Sequence, residues 1–268
     1  MTTTPDPTHP SEPAYPSAAL RAHSFNGAAA QYADNRPSYP TPLFEAVEEL
    51  SGRPLKGARA VDVGAGTGIS TAQLDTRGAK VLAVEPGTGM AAEFRRRNPH
   101  IPLVRGNGNE LPLRTGSADL LTYAQAWHWT DTTRSVPEAI RVLRPGGALA
   151  LWWNADALEL DWISAQSDRI ARFFDLDMAA EKRKPAARIE HADPSGRLDF
   201  RLREIRWSRR VPLDTHLANI GSHSGFLVAP EARRAAFLET ERDQLLRIFP
   251  DGVVEETYDV FLALATTP

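Results

Sequence analysis

The chain has 268 residues, 42% hydrophobic and 24% charged, a length and balance sufficient for one globular domain with a full core. Its net charge of -3 gives no general attraction to nucleic acid or anionic membrane, and the clusters Arg95-Arg96-Arg97 and Arg209-Arg210 have acidic neighbours. The absence of cysteine excludes disulfides and thiolate catalysis and fits a reducing cytoplasm, and no apolar run approaches the ~20 residues of a membrane span.

In chain order, residues 1–20 carry five prolines among Thr, Ser and Ala and lack a signal pattern, so they read as a disordered tail. The spacing predicts a helix over 18–32, a break at Arg36-Pro37-Ser38-Tyr39-Pro40, and a helix over 43–50. Strands and helices then alternate: strands at 58–63, 80–85, 103–106, 118–124 and 148–153, with helices at 69–75, 89–97 and 136–143. That alternation implies βαβ units and a parallel sheet covered on both faces, an α/β Rossmann-like class. From 154 to about 197 the pattern turns helical, with segments 161–174 and 179–188, and reads as a cap inserted over one end of the sheet. A strand over 198–211, a helix over 231–248 and a strand over 252–265 complete the domain, taken as 21–268 with lid helices in 21–50.

In an open parallel sheet, ligands sit beyond the carboxyl ends of the strands where strand order reverses. The first such loop, Gly64-Ala65-Gly66-Thr67-Gly68, has glycines where backbone must turn tightly and approach a ligand. A dinucleotide fingerprint would need a small residue where Ile69 stands, and a P-loop would need Gly-Lys-Ser/Thr. The loop therefore suits a nucleoside without a pyrophosphate. Glu85 ends the second strand about 20 residues on, the interval at which a carboxylate receives ribose hydroxyls. Asp62, inside an apolar strand, needs partners: loop amides, a ligand ammonium, or groups that merely hold the loop.

Together these residues resemble the class I S-adenosylmethionine (SAM)-dependent methyltransferases. Val61-Asp62-Val63-Gly64-Ala65-Gly66-Thr67-Gly68 looks like that family's first motif, and Val84-Glu85-Pro86 with Met90 like its second. Gly106-Asn107-Gly108-Asn109-Glu110-Leu111-Pro112, Ser117-Ala118-Asp119-Leu120-Leu121 and Leu143-Arg144-Pro145-Gly146-Gly147 are similar to its later ones. Tyr32…Arg36-Pro37-Ser38-Tyr39-Pro40 and Gln125-Ala126-Trp127-His128-Trp129 resemble a small-molecule subgroup that includes trans-aconitate methyltransferase-like enzymes. The resemblance spans residues 25 to about 265 and implies seven strands with the last antiparallel. It implies that Gly64, Ala65, Gly66, Thr67 and Gly68 line the methionyl and ribose parts, with Ala124 and Gln125 beside them, and that Glu85 takes the ribose. Pro86, Gly87 and Met90 would border adenine, and Asn107 and Gly108 would bind it. The family commonly has an acid at the position of Asn107, and a neutral oxygen accepts a hydrogen bond more weakly.

Methyl transfer needs alignment and exclusion of water; a hydroxyl acceptor adds the need for a base. His128 is the best-placed candidate base, or else a residue that bonds backbone and packs between Trp127 and Trp129, which border the acceptor. His223 with Ser222 would orient the acceptor; Arg36 would pair with a carboxylate, and Tyr32 and Tyr39 would close over the sulfonium. No histidine has metal-ligand spacing, so no metal is expected. The expected function is methyl transfer from SAM to a small organic acceptor, on oxygen ahead of nitrogen or carbon, by a monomer or homodimer. A repurposed SAM-binding protein is the alternative; nucleic-acid and membrane partners are not expected.

Overall fold

The computed structural model describes residues 24–176 and 190–267; the expected tail (1–20) and the segment 179–188 lie outside them. Seven strands form one sheet in the order β3-β2-β1-β4-β5-β7-β6. They are β1 (Arg59–Val63), β2 (Lys80–Val84), β3 (Leu103–Val104), β4 (Ala118–Ala124), β5 (Leu143–Asp156), β6 (Arg201–Pro212) and β7 (Val253–Thr266). β7 runs antiparallel to both its neighbours, and the β1–β5 pairings are parallel. The order reverses beside β1 and β4, so a crevice opens beyond their carboxyl ends.

One sheet face packs on α2 (Thr41–Ser51), α3 (Ile69–Thr76) and α4 (Thr88–Arg97) through Leu43, Phe44, Val47, Leu74, Phe94 and Trp152. The other face buries Val61, Val63, Leu121, Tyr123, Leu151 and Trp153 against α5 (Thr132–Val142). The inner strands are apolar on both faces because helices cover both. A third cluster stands off the sheet and joins α6 (Asp161–Phe173), α7 (Leu213–Gly221), α8 (Ser224–Val228) and α9 (Glu231–Ile248) around Leu217, Phe226 and Leu245. The helical layer thus draws on two stretches of chain, 161–173 and 213–248, whereas the sequence pattern points to 154–197 alone.

Several boundaries differ from expectation for identifiable reasons. α5 begins at Thr132 because the Asp131 carboxylate accepts the Thr133 amide at 3.0 Å and caps it. Beyond Trp153, β5 continues through Asn154 and Asp156, whose pairing with Val260 and Tyr258 of β7 extends the ladder. The Arg144–Gly147 turn lies within β5, where the register against β4 shifts. Instead of one helix over 18–32, the described part has a short 3-10 turn, Phe25–Gly27, followed by α1 (Ala29–Asn35). Asn26 accepts the Gly89 amide at 2.9 Å, and a Cβ on Gly89 would lie 2.1 Å from the Asn26 carbonyl oxygen, so the turn seats against α4 only because glycine is there. No described helix is long and apolar enough to cross a membrane.

Candidate active site

A cavity of about 930 Å³ runs across the carboxyl ends of the strands, from Glu85, Met90 and Gly108 past the glycine loop to His223 and Phe226. A small recess opens beside it, lined by Tyr39, Ala65, Thr67 and Ser70 and sharing Tyr32, Arg36, Gly64 and Gln125 with the main cavity.

The loop geometry explains its glycines separately. Gly64 has φ +68°, and a Cβ there would lie 2.6 Å from the Ala126 Cβ. Gly66 has φ +58° with no protein atom nearer than 4.0 Å to its missing Cβ, and it lines the cavity. Its freedom is therefore spent on the space a ligand would fill. Gly68 at φ +93° is different: its Cβ would strike Asn98 and Phe94, so this glycine closes α3 onto α4 and does not line the cavity.

Glu85, 6% exposed, accepts the Gly66 amide at 2.8 Å and the Gly87 amide at 2.6 Å. Burial raises its pKa, against the pull of the two amides and of Arg105. Two of its roughly four acceptor positions are thus used, which leaves two for a ligand. Arg105 in turn donates to the carbonyls of Glu85 and Pro86 and fixes this turn. Pro86, Met90, Asn107 and Gly108 line the same end. The Asn107 side-chain oxygen already accepts the Asn109 amide at 2.9 Å, so its second lone pair is what an adenine amine could use. A Cβ on Gly108 would press on Tyr123 and Thr130 at 2.9 Å.

Four further expected contacts do not reach the main cavity. Asp62 is fully buried beneath the loop, where Thr71 and Thr122 donate to its carboxylate at 2.6 and 2.8 Å; loop amides are not its partners. Burial pushes its pKa up to about 6 against those hydroxyls. Trp127 is core: it donates to the Ala192 carbonyl at 3.0 Å and packs edge-on against Tyr123. Ser222 is buried and donates to the Asn219 carbonyl at 2.6 Å. Tyr39 reaches only the recess, edge-on to Trp152, and burial raises its phenol pKa well above the usual value.

Ala124 and Gln125 line the cavity's middle, and Gln125 holds φ +57°, a strained conformation for a non-glycine residue. Its amide donates to the Asn154 carbonyl at 3.2 Å, which helps to hold that turn. Arg36 lies 4.7 Å over the Tyr32 ring, donates to the Ser222 carbonyl at 3.3 Å and forms no ion pair among the described residues. Phe25 is edge-on to both Tyr32 and Trp129, so these rings roof one side. His128 lines the cavity with its Nδ1 accepting the Trp153 indole N–H at 3.3 Å. In the neutral ring that leaves the proton on Nε2, a hydrogen-bond donor. His223 also lines the cavity, and burial together with Arg36 lowers its pKa well below the usual value.

The sequence reading overlooks Asn154 and Asp156. Asn154 bonds the Ser38 carbonyl and the Trp207 indole, tying the segment before α2 to β6. Their signal was polar residues directly after an apolar strand, at the end where ligands bind. His216, without a motif, proves to be buried between Glu256 at 2.7 Å and Gln166 at 3.1 Å.

Orphaned buried atoms test the fit to a methionyl nucleoside. The hydroxyls of Thr67 in the recess and of Tyr123 have no partner among the described residues. A polar amino-acid tail beside the loop and an adenine near Tyr123 would meet them, and Glu85 stands between for a ribose. The residues fit the group.

A strand order of this kind with a glycine loop at its reversal defines a Rossmann-like nucleoside-binding protein. The profile of the family described as "Methyltransferase domain" matches residues 61–151. An uncharacterized methyltransferase of Mycobacterium tuberculosis is 34% identical over 227 residues, covering 85% of this chain and 87% of its own. The chain belongs to the class I SAM-dependent methyltransferases. A demethylmenaquinone methyltransferase of Beutenbergia cavernae is 37% identical over 106 residues, covering 39% of this chain and 43% of its own. A structure from Anaeromyxobacter dehalogenans, assigned as a type II methyltransferase, shares the fold with TM-score 0.60, 22% identity and coverage of 87% and 97%.

Proposed function

We propose that this enzyme transfers the methyl group of SAM to an oxygen of a small organic acceptor. One observation carries the reading: a single cavity joins a donor half, built on Gly66 and Glu85, to a second half with room and polar groups for another molecule. A volume of about 930 Å³ is at the upper end for ligand pockets and suits two ligands together.

Bound SAM supplies a methyl on a positively charged sulfur; transfer joins that carbon to the acceptor oxygen, leaves the carbon–sulfur electron pair on sulfur and, from a hydroxyl, releases a proton. The chain's own residues align and shield. Glu85 accepts the ribose hydroxyls, the loop backbone at Gly64 and Gly66 lies against the donor, and Arg36 pairs with a carboxylate. Residues 21–50 act as a lid, with Tyr32, Phe25 and Trp129 excluding water. α6, with α7 and α8, caps the acceptor half. His128, on the cavity wall beside Trp129, orients the acceptor. The Tyr32…Tyr39 segment and Gln125–Trp129 support a small-molecule subgroup similar to trans-aconitate methyltransferase-like enzymes.

A carbon acceptor is the second reading, favoured by the partial relatives named demethylmenaquinone methyltransferase. Calorimetry with SAM and S-adenosylhomocysteine is expected to give dissociation constants in the micromolar range. Incubation with SAM and acceptor pools should give S-adenosylhomocysteine and a product heavier by one methylene. No heat at millimolar SAM would sink the reading.

A further inference from the structure

The segment over the cavity is held by a residue far from it in sequence. α1 is seven residues long, too short to persist by itself, and has no basic residue in its last turn. It stops at Asn35, with Arg36 extended before Pro37. Its last carbonyls therefore need donors from elsewhere. Arg209 of β6 supplies them: it donates to the Asn35 carbonyl at 2.7 Å and to the Arg36 carbonyl at 3.3 Å. A cation at that end also complements the helix dipole.

Arg209 is itself fixed. β6 runs antiparallel to β7 and so in the same sense as β5, which puts Arg209 near the end of β6 where the cavity opens. Ile205 and Trp207 pack inward at the alternate positions before it, and Arg209 continues that row directly opposite Glu256 of β7. Its Nε donates to the Glu256 carboxylate at 2.5 Å, and Glu256 is only 2% exposed. The other Glu256 oxygen lies 2.7 Å from His216 of α7, which in turn lies 3.1 Å from Gln166 of α6. Both carboxylate oxygens are engaged, so the guanidinium cannot swing away without leaving a buried charge short of a partner.

Beyond this anchor stand groups that face the cavity. Arg36 lies 4.7 Å over the Tyr32 ring and donates to the Ser222 carbonyl, and both residues line the cavity with Gly64 and Gly66. Arg209 lines neither the cavity nor the recess, so it can act on a ligand only through α1.

Resting on the donor site argued above, we propose that Arg209 is a positioning residue: it latches the carboxyl end of α1 to the β6–β7 edge and so holds Arg36 and Tyr32 over a bound donor. A lysine would keep the charge beside Glu256 but lacks the planar fork that meets three acceptors at once.

In the full chain, Arg209→Lys should weaken S-adenosylhomocysteine by about three- to ten-fold, read by calorimetry. It should speed amide hydrogen exchange of residues 29–36 by at least about three-fold and leave exchange in β1 and β4 unchanged. The double variant Arg209→Met/Glu256→Gln removes the charge pair together, so no unpaired charge remains, and should weaken S-adenosylhomocysteine further. Wild-type affinity in both variants overturns the proposal. So does exchange that quickens equally in β1, β4 and residues 29–36, because a general loss of stability would then explain the weaker binding. Variants that match a binding wild type overturn this latch alone; a wild type that binds no S-adenosylhomocysteine overturns the donor site and the latch with it.

Discussion

The two halves of the cavity are built by different means. The half around the glycine loop, proposed to hold the donor, is backbone: positive-φ glycines, strand ends held in register, and one carboxylate fixed by two amides. The acceptor half is side chains gathered from β5, α6, α7, α8 and β7, stretches far apart in sequence. A backbone cradle tolerates little change and serves one ligand; a wall of side chains from helices can be altered residue by residue without disturbing the sheet. One fold can thus keep a donor and change acceptors.

Substitutions in the donor half should separate cradle from scaffold. Gly66→Ala meets no protein atom, so it should cost only the ~1–2 kcal/mol of a left-handed alanine, while its Cβ enters the ligand space and weakens SAM by more than about 100-fold. Gly64→Ala adds the Ala126 clash and should lower the melting temperature further. Equal losses of stability and equal losses of affinity in the two variants would break the distinction.

Glu85→Gln should weaken SAM by roughly 10- to 100-fold, as loss of charge-assisted bonds predicts, and leave acceptor affinity in the S-adenosylhomocysteine complex unchanged. Paired titrations check this. A smaller effect is expected at His128. With Nδ1 held by Trp153, His128→Gln should lower kcat by less than about ten-fold, whereas loss of a true general base lowers rates by roughly 10²–10⁴.

Asp62 gives the smallest effect on binding but a distinct pH signature. Its folded pKa of about 6 exceeds the 3.8 of an unperturbed aspartate, so the folded state holds its proton more tightly. Its contribution is fully present below about pH 4 and is lost as pH rises through about 6, about 3 kcal/mol in all at ~1.4 kcal/mol per unit. Asp62→Asn should flatten the decline in melting temperature between pH 4 and 7. A parallel decline in both proteins would remove this buried charge as the cause.

The alternation of elements from β1 to β5 and the cavity-lining positions of Gly64, Gly66 and Glu85 were legible in sequence because each answers to a local constraint: a period, a turn, or a carboxylate at a strand end. Gly68 and Trp127 looked the same in sequence as their neighbours, yet the packing of Asn98 and Phe94, and of Tyr123, turned both to the scaffold. Asp156 and Asn219 were not legible as a pair. Nothing local links the last residue of β5 to one 63 positions later; the antiparallel return of β7 brings Tyr258 next to both. Sequence alone therefore determined the sheet and the donor's cradle, which short-range backbone geometry dictates. Tertiary structure decided the far half of the cavity, because only the closing of distant strands and helices brings those residues to one wall.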